Sequence, residues 1–270
     1  MTTSLSPKRT VMNYKTALQC ALLSQEVYQD FKDITFQEWP GVTPRLIEKT
    51  ATDTQLAILE DAAEGLATIV FRGSQGEKDW NTNFRLNQSE YQWSQEEKKE
   101  YNEQMKQVKA SVNQAEELVY PDKYSEPQNP VRMHCGFVLA YLSVRETIHN
   151  YVNNSKARQY RITGHSLGGA IAKLCALDLQ YNFSPEISVE AYSFGAPRVG
   201  NKAFTESYNR RVPDTWRVVN GWDAVVGLPA PWQGYRHVET PIKLERGFTW
   251  LIITGSFEDH RISNYIQALR

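Results

Sequence analysis

Cysteine is scarce in this chain: three residues, Cys20, Cys135 and Cys175, among 270. An odd number at wide spacing excludes a disulfide framework, and the lack of a Cys-x-x-Cys pair excludes a thiolate metal site. Long apolar runs are missing as well. The longest stretch near the C-terminus, Trp250–Ile253, falls far short of the roughly 20 residues of a membrane-spanning helix. Charge of one sign is not in excess either. Thirty Lys and Arg stand against 31 Asp and Glu, a net of -1, so the basic field that draws a domain to DNA or RNA is lacking. At the N-terminus Lys8 and Arg9 precede only Ala17–Leu23, interrupted by Gln19 and followed by Ser24-Gln25-Glu26 in place of a small-residue cleavage site. That segment reads as a helix, no signal peptide is seen, and a reducing, cytoplasmic location is expected.

What is present is enough for one large α/β core, since 270 residues exceed the usual domain of about 150 and can bury most of their apolar surface without staples. Residues 14–28 carry Ala17, Leu18, Ala21, Leu22 and Tyr28 at helical spacing. Extended segments follow at Val42–Ile47, Leu56–Glu60 and Leu66–Phe71, the last rich in β-branched and aromatic residues and stopped by Gly73. After Pro130 the pattern alternates: helix Phe137–Val152, strand Tyr160–Thr163, helix Leu167–Leu179, strand Val189–Phe194, helix Lys202–Arg210, strand Trp216–Val219. Such alternation predicts a mostly parallel sheet flanked by helices. Arg236–Leu244 and Phe248–Thr254 are expected to form a β-hairpin before a final helix from Arg261.

Between these parts, residues 89–126 shift in composition, with nine Asp and Glu against five Lys. Here Tyr101, Met105, Val108, Val112, Ala115 and Val119 make a narrow apolar seam, which predicts a charged helix over 94–119 within an insertion of about 82–130. It is read as a helix docked on its own domain, a movable cover over a lipid-binding cleft, or a surface for a protein partner.

The chemistry concentrates at Gly164-His165-Ser166-Leu167-Gly168, where a predicted strand meets a predicted helix. Glycines two residues either side of a serine allow the sharp bend that lifts its hydroxyl above the sheet edge. A serine hydroxyl is a weak nucleophile near neutrality, so Ser166 needs a histidine base, and the base needs an orienting carboxylate. Of the downstream acids Asp178, Asp214, Asp223 and Asp259, only Asp223 leaves the C-terminal end of a strand, the edge where Ser166 is expected. Its alternative use is an Asx turn in Asn220–Asp223. Only His237 and His260 follow Asp223. His260, in a polar loop beside a helix start, is favoured as base over His237, which the hairpin strand would hold. His165 supports its neighbours, and His134 and His149 pack. Leu167 offers one backbone N–H to a developing oxyanion and Ser74, in Phe71-Arg72-Gly73-Ser74, is the candidate for the second donor. No histidine has a partner at the i, i+4 spacing of a zinc helix, so no metal or other cofactor is expected.

Taken together, these residues resemble the fungal-type class 3 lipases of the α/β-hydrolase superfamily. The resemblance rests on Phe71–Ser74, Gly164–Gly169, Ser193–Asn201 (Ser-Phe-Gly-Ala-Pro-Arg-Val-Gly-Asn) and Asn220–Pro229, four motifs in order from about Leu66 to His260. It implies an α/β-hydrolase fold, Ser166 as nucleophile, Asp223 as acid, His260 as base, and Ser74 with Leu167 as oxyanion donors. Tyr235-Arg236-His237 is similar to the family's structural Tyr-x-His. The expected function is hydrolysis of acyl esters of lipids, with peripheral contact to a lipid surface. A soluble carboxylesterase without interfacial preference and a catalytically silent, partner-binding relative are the rival readings.

Overall fold

The computed structural model describes residues 11–74, 131–244 and 259–270. Five helices are found among them: α1 (Tyr14–Glu26), α2 (Cys135–Asn154), α3 (Leu167–Phe183), α4 (Lys202–Arg211) and α5 (Ile262–Leu269). Strands are β1 (Arg45–Lys49), β2 (Thr54–Asp61), β3 (Leu66–Phe71), β4 (Gln159–His165), β5 (Ser188–Phe194), β6 (Gly200–Asn201), β7 (Thr215–Asn220), β8 (Tyr235–Arg236) and β9 (Pro241–Leu244). Local sequence sets several boundaries. The Asn13 side chain accepts from the N–H groups of Lys15 and Thr16 at 2.9 and 3.2 Å and so starts α1. Asn201 does the same for α4 through Phe204 N–H.

The main sheet has the order β1-β2-β3-β4-β5-β7-β9. β1, β2 and β3 are antiparallel, and from β3 to β9 every pairing is parallel. Because Phe71 pairs with Gly164, His165 with Phe194 and Phe194 with Val218, the C-terminal ends of β3, β4, β5 and β7 finish along one edge. This is the mostly parallel, helix-flanked sheet of the α/β-hydrolase class.

The pleat divides apolar residues between two faces. Leu56 and Ile58 of β2, Ile69 of β3 and Ala191 of β5 join the core under α2, α3 and α4. Tyr192 and Phe194 of β5, with Trp216 and Val218 of β7, meet α1 and α5 on the opposite face. Sheets covered on both sides demand strands apolar on both sides, and β3, with Ala67–Phe71 all buried, is such a strand. α3 is apolar almost all round because it is enclosed, with Gly168 through Leu179 buried without a break.

Arg236–Leu244 does not run as one arm of a hairpin. Tyr235–Arg236 pairs antiparallel with Gly200–Asn201, whereas Pro241–Leu244 turns back to lie parallel to β7. The break falls where Glu239 takes a φ of 49° and the Arg217 guanidinium gathers the carbonyls of Val238 and Glu239. The other arm, Phe248–Thr254, lies outside the described residues, as do the insertion 82–130 and its helix 94–119. Among the described residues no helix is long and apolar enough to cross a membrane.

Candidate active site

β4 ends at His165 and α3 begins at Leu167, so Ser166 alone makes the turn, at φ 66° and ψ -129°. A non-glycine residue in that region is strained. The strain is sustained by the Ser166 N–H bond to the Phe194 carbonyl at 2.8 Å and by close backbone approach on either side. A Cβ on Gly164 would lie 2.4 Å from the Gly168 carbonyl carbon, and one on Gly168 would lie 2.2 Å from the Phe71 carbonyl oxygen. Only glycine permits strand and helix to meet this tightly.

Ser166 Oγ is 2.8 Å from His260 Nε2, and His260 Nδ1 is 2.8 Å from Asp223 Oδ2. With Nδ1–H donating to the carboxylate, Nε2 is left to accept from the serine, the tautomer a general base requires. Asp223 sits three residues past β7, in a turn closed by its N–H to the Asn220 carbonyl at 3.2 Å. The Asx turn and the contact with His260 coexist: Oδ1 accepts from Val225 N–H at 2.9 Å while Oδ2 faces His260. Tyr265 of α5 donates its hydroxyl to the same Oδ2 at 2.5 Å. Asp259, adjacent to the base, accepts instead from Trp222 N–H at 2.9 Å, and its carbonyl accepts from Asn220 Nδ2 at 3.2 Å. These two bonds bind the base loop to the acid loop.

A second line of hydrogen bonds approaches His260 from behind. His165 Nε2–H donates to the His260 carbonyl at 2.7 Å, which leaves Nδ1 to accept from the Tyr28 hydroxyl at 3.0 Å. The Tyr28 hydroxyl also packs against the backbone of the Phe71–Ser74 loop, where a Cβ on Gly73 would lie 2.1 Å from it. The rings of His165 and His260 lie 4.5 Å apart between centroids. Burial, and then the nearby His260, hold the His165 pKa well below the usual imidazole value, so His165 stays neutral beside the base. Arg72 fixes the same loop by donating to Gln55 Oε1 at 2.7 Å and the Tyr28 carbonyl at 3.0 Å.

Of the oxyanion candidates, Leu167 opens α3, where first-turn N–H groups have no intrahelical acceptor and the helix dipole favours negative charge. Ser74 is half-buried, three residues beyond the Phe71–Gly164 pairing and thus at the same sheet edge as Ser166. His237 is not brought to the serine's base position, because its Nε2 donates to the Val226 carbonyl at 2.8 Å. Burial, followed by Arg217, Lys173 and Arg198, pushes its pKa down to about 2. His149 packs against Asp178 at 2.6 Å. Sequence reasoning missed Tyr28, and it read Tyr265 only as the end of an Asp-His-x-x-x-x-Tyr pattern, without its bond to Asp223. Tyr265 carried a faint signal, five residues after His260 at the start of a helix; Tyr28 carried none.

The fold and this edge define the α/β-hydrolase class, and comparison with known proteins narrows it. Residues 68–232, more than half the chain, match the family described as lipase (class 3). The chain belongs to the class 3 lipase family. It is 34% identical over 119 residues to the secreted mono- and diacylglycerol lipase 1 of Fusarium solani, covering 43% of this chain and 35% of that protein. To the chloroplastic phospholipase A(1) DAD1 of Arabidopsis thaliana it is 35% identical over 104 residues, covering 35% of this chain and 23% of the relative. The chain thus spans about a third or less of the length of these relatives. Among solved structures, the Rhizomucor miehei lipase in its propeptide complex superposes with a TM-score of 0.62 at 22% identity, over 88% of this chain and 70% of that one. The expected cytoplasmic location is overturned by the relatives, the Fusarium protein being secreted. Scarce cysteine was a poor guide to compartment, since a core of this size holds together without disulfides.

Proposed function

We propose that the chain hydrolyses carboxylic esters of lipids, acylglycerols or polar lipids, by acyl transfer to Ser166. The observation that carries this reading is the unbroken line Ser166 Oγ, His260 Nε2, His260 Nδ1, Asp223 Oδ2, with both contacts at 2.8 Å. Ser166 Oγ attacks the ester carbonyl as its proton passes to His260 Nε2, and Asp223 stabilises the imidazolium. The N–H of Leu167 and Ser74 receive the tetrahedral oxyanion. Collapse breaks the bond to the alcohol, which leaves with the proton from His260, and the acyl-enzyme is then opened by water through the same base. In this reading residues 1–270 form one hydrolase domain, interrupted by the insertion at about 82–130.

Lipid esters are favoured over small soluble esters by the family and by what its members act on: mono- and diacylglycerols for the Fusarium relative, phospholipids for the Arabidopsis one. The test is turnover of p-nitrophenyl esters from acetate to palmitate, followed through each ester's solubility limit. Rates that rise with chain length and jump where substrate aggregates are expected. A preference for acetate with simple saturation would make the chain a carboxylesterase. No turnover of any ester would leave the silent, partner-binding reading.

A further inference from the structure

Four large apolar side chains are exposed among the described residues, Val11, Tyr14, Trp222 and Trp232, and both tryptophans lie on the loop 221–234, between the end of β7 and β8. Trp222 and Trp232 are 77% and 84% exposed, against 7% for Trp39 and 3% for Trp216. Asp223 is the sole ionisable side chain between Asn220 and Tyr235, and it is buried beside His260. The exposed remainder, Gly221, Gly227, Pro231, Gln233 and Gly234, has no charge to keep water ordered around the rings.

Both indoles are mounted on fixed backbone. Trp222 N–H is held by Asp259 at 2.9 Å. Trp232 stands in the 3-10 turn Pro231–Gln233, closed by Ala230 N–H to Gln233 Oε1 at 2.8 Å and by Gly234 N–H to the Pro231 carbonyl at 3.1 Å. Arg198, from the loop after β5, bridges the carbonyls of Gly227 and Pro229 at 2.5 and 2.8 Å and keeps the loop at the catalytic edge. Arg236 donates to the Pro231 carbonyl at 2.8 Å. Burial, and then the nearby Arg236 guanidinium, disfavour the charge on Arg198, and no carboxylate pairs with either arginine among the described residues.

Uncompensated arginines beside fixed, exposed indoles match the boundary layer of a bilayer. Indole settles where an apolar body and a wet edge are both satisfied, and guanidinium takes phosphate. A fluid headgroup layer requires no complementary shape, whereas a protein partner would have to fit two separate rings over glycine-rich backbone. We infer that the loop 221–234 is the surface on which the protein seats itself on an anionic phospholipid layer. Trp222 and Trp232 enter the headgroup region, and Arg198 and Arg236 meet lipid phosphate. Seated this way, the edge bearing Ser166 faces the layer from which an acyl chain would come. The inference rests on the lipid-ester reading for its purpose, but its test does not use turnover.

The experiment is co-sedimentation of the full chain carrying Ser166→Ala with phosphatidylcholine vesicles, with and without phosphatidylglycerol. Partition is expected to be stronger when phosphatidylglycerol is present. Trp222→Ala with Trp232→Ala is expected to lower it about tenfold on both vesicles, the effect of withdrawing buried aromatic surface. Arg236→Gln is expected to lower it about fivefold on the anionic vesicles alone. Trp232→Phe, which keeps an aromatic ring, should partition within about twofold of the parent and lose the vesicle-induced blue shift contributed by that indole. Equal partition of the parent and the double tryptophan variant overturns the inference, as does a parent that binds no vesicle or ignores lipid charge. If the chain with Ser166 intact hydrolyses no ester while these partition differences hold, the proposed function fails and the seating surface stands.

Discussion

Tyr28 lies two residues beyond the first helix, far in sequence from Ser166, yet its hydroxyl packs against Gly73 of the Phe71–Ser74 loop and reaches the backbone of His260 through His165. It donates to His165, which donates to the His260 carbonyl. It is a positioning residue, acting through two others. Tyr28→Phe keeps the ring and deletes the bond to His165, so kcat is expected to fall about tenfold, the value of a hydrogen bond, with KM unchanged. Steady-state kinetics on one soluble ester checks this. A rise in KM at constant kcat would place Tyr28 in substrate binding instead. The sequence already singles out Ser166, Asp223 and His260, which the fold brings within hydrogen-bond reach, because chemistry restricts what could activate a serine and the chain has few histidines. Nothing in the residues around Tyr28 distinguishes it from any tyrosine ending an amphipathic helix, and only the packing of α1 against β4 gives it a role.

At the scale of elements, the junction of α2 with α3 is electrostatic as well as apolar. Asp178, fully buried, accepts from Tyr141, from Arg145 through two nitrogens at 2.9 and 3.1 Å, from His149 and from Asn182. Removing a buried carboxylate leaves its cation uncompensated, so Asp178→Ala is expected to destabilise the protein by about 3–5 kcal/mol, measured by urea unfolding. A loss near zero would mean that water replaces the carboxylate.

The strands and helices around this junction were legible because each has to be apolar on the sides that the sheet covers. β4, α3 and β5 were expected and found within a few residues. The region after Arg236 was not legible. β8 is two residues long and its partner is Gly200–Asn201, while β9 joins the sheet beside β7 by a parallel crossover. Neither pairing leaves a trace in local alternation, and the turn expected at Glu245-Arg246-Gly247 lies outside the described residues.

For the molecule as a whole, three histidines folded in neutral form set the response to acid. Burial holds His165 well below its ordinary value; burial alone puts His134 at about 4; burial with neighbouring cations puts His237 at about 2. In the unfolded chain each titrates near 6.5, so as pH falls below that point the unfolded state takes up protons that the native state refuses. Stability from this source is fully present above about pH 6.5 and is lost progressively below it, down to about pH 4 for His134 and about pH 2 for His237. The expected outcome is a melting temperature that declines from pH 7 to pH 5, with a shallower decline in His237→Gln. A flat profile across that range would show that these rings are not held neutral.

The central claim is that His260, and not His237, makes Ser166 nucleophilic. Its most direct measurement is covalent labelling by a fluorophosphonate, with the site mapped and the rate followed by mass spectrometry. Wild-type protein is predicted to be labelled at Ser166, and His260→Ala to slow labelling at least a thousandfold. Labelling at another serine, or labelling that survives His260→Ala and is abolished by His237→Ala, would contradict the account.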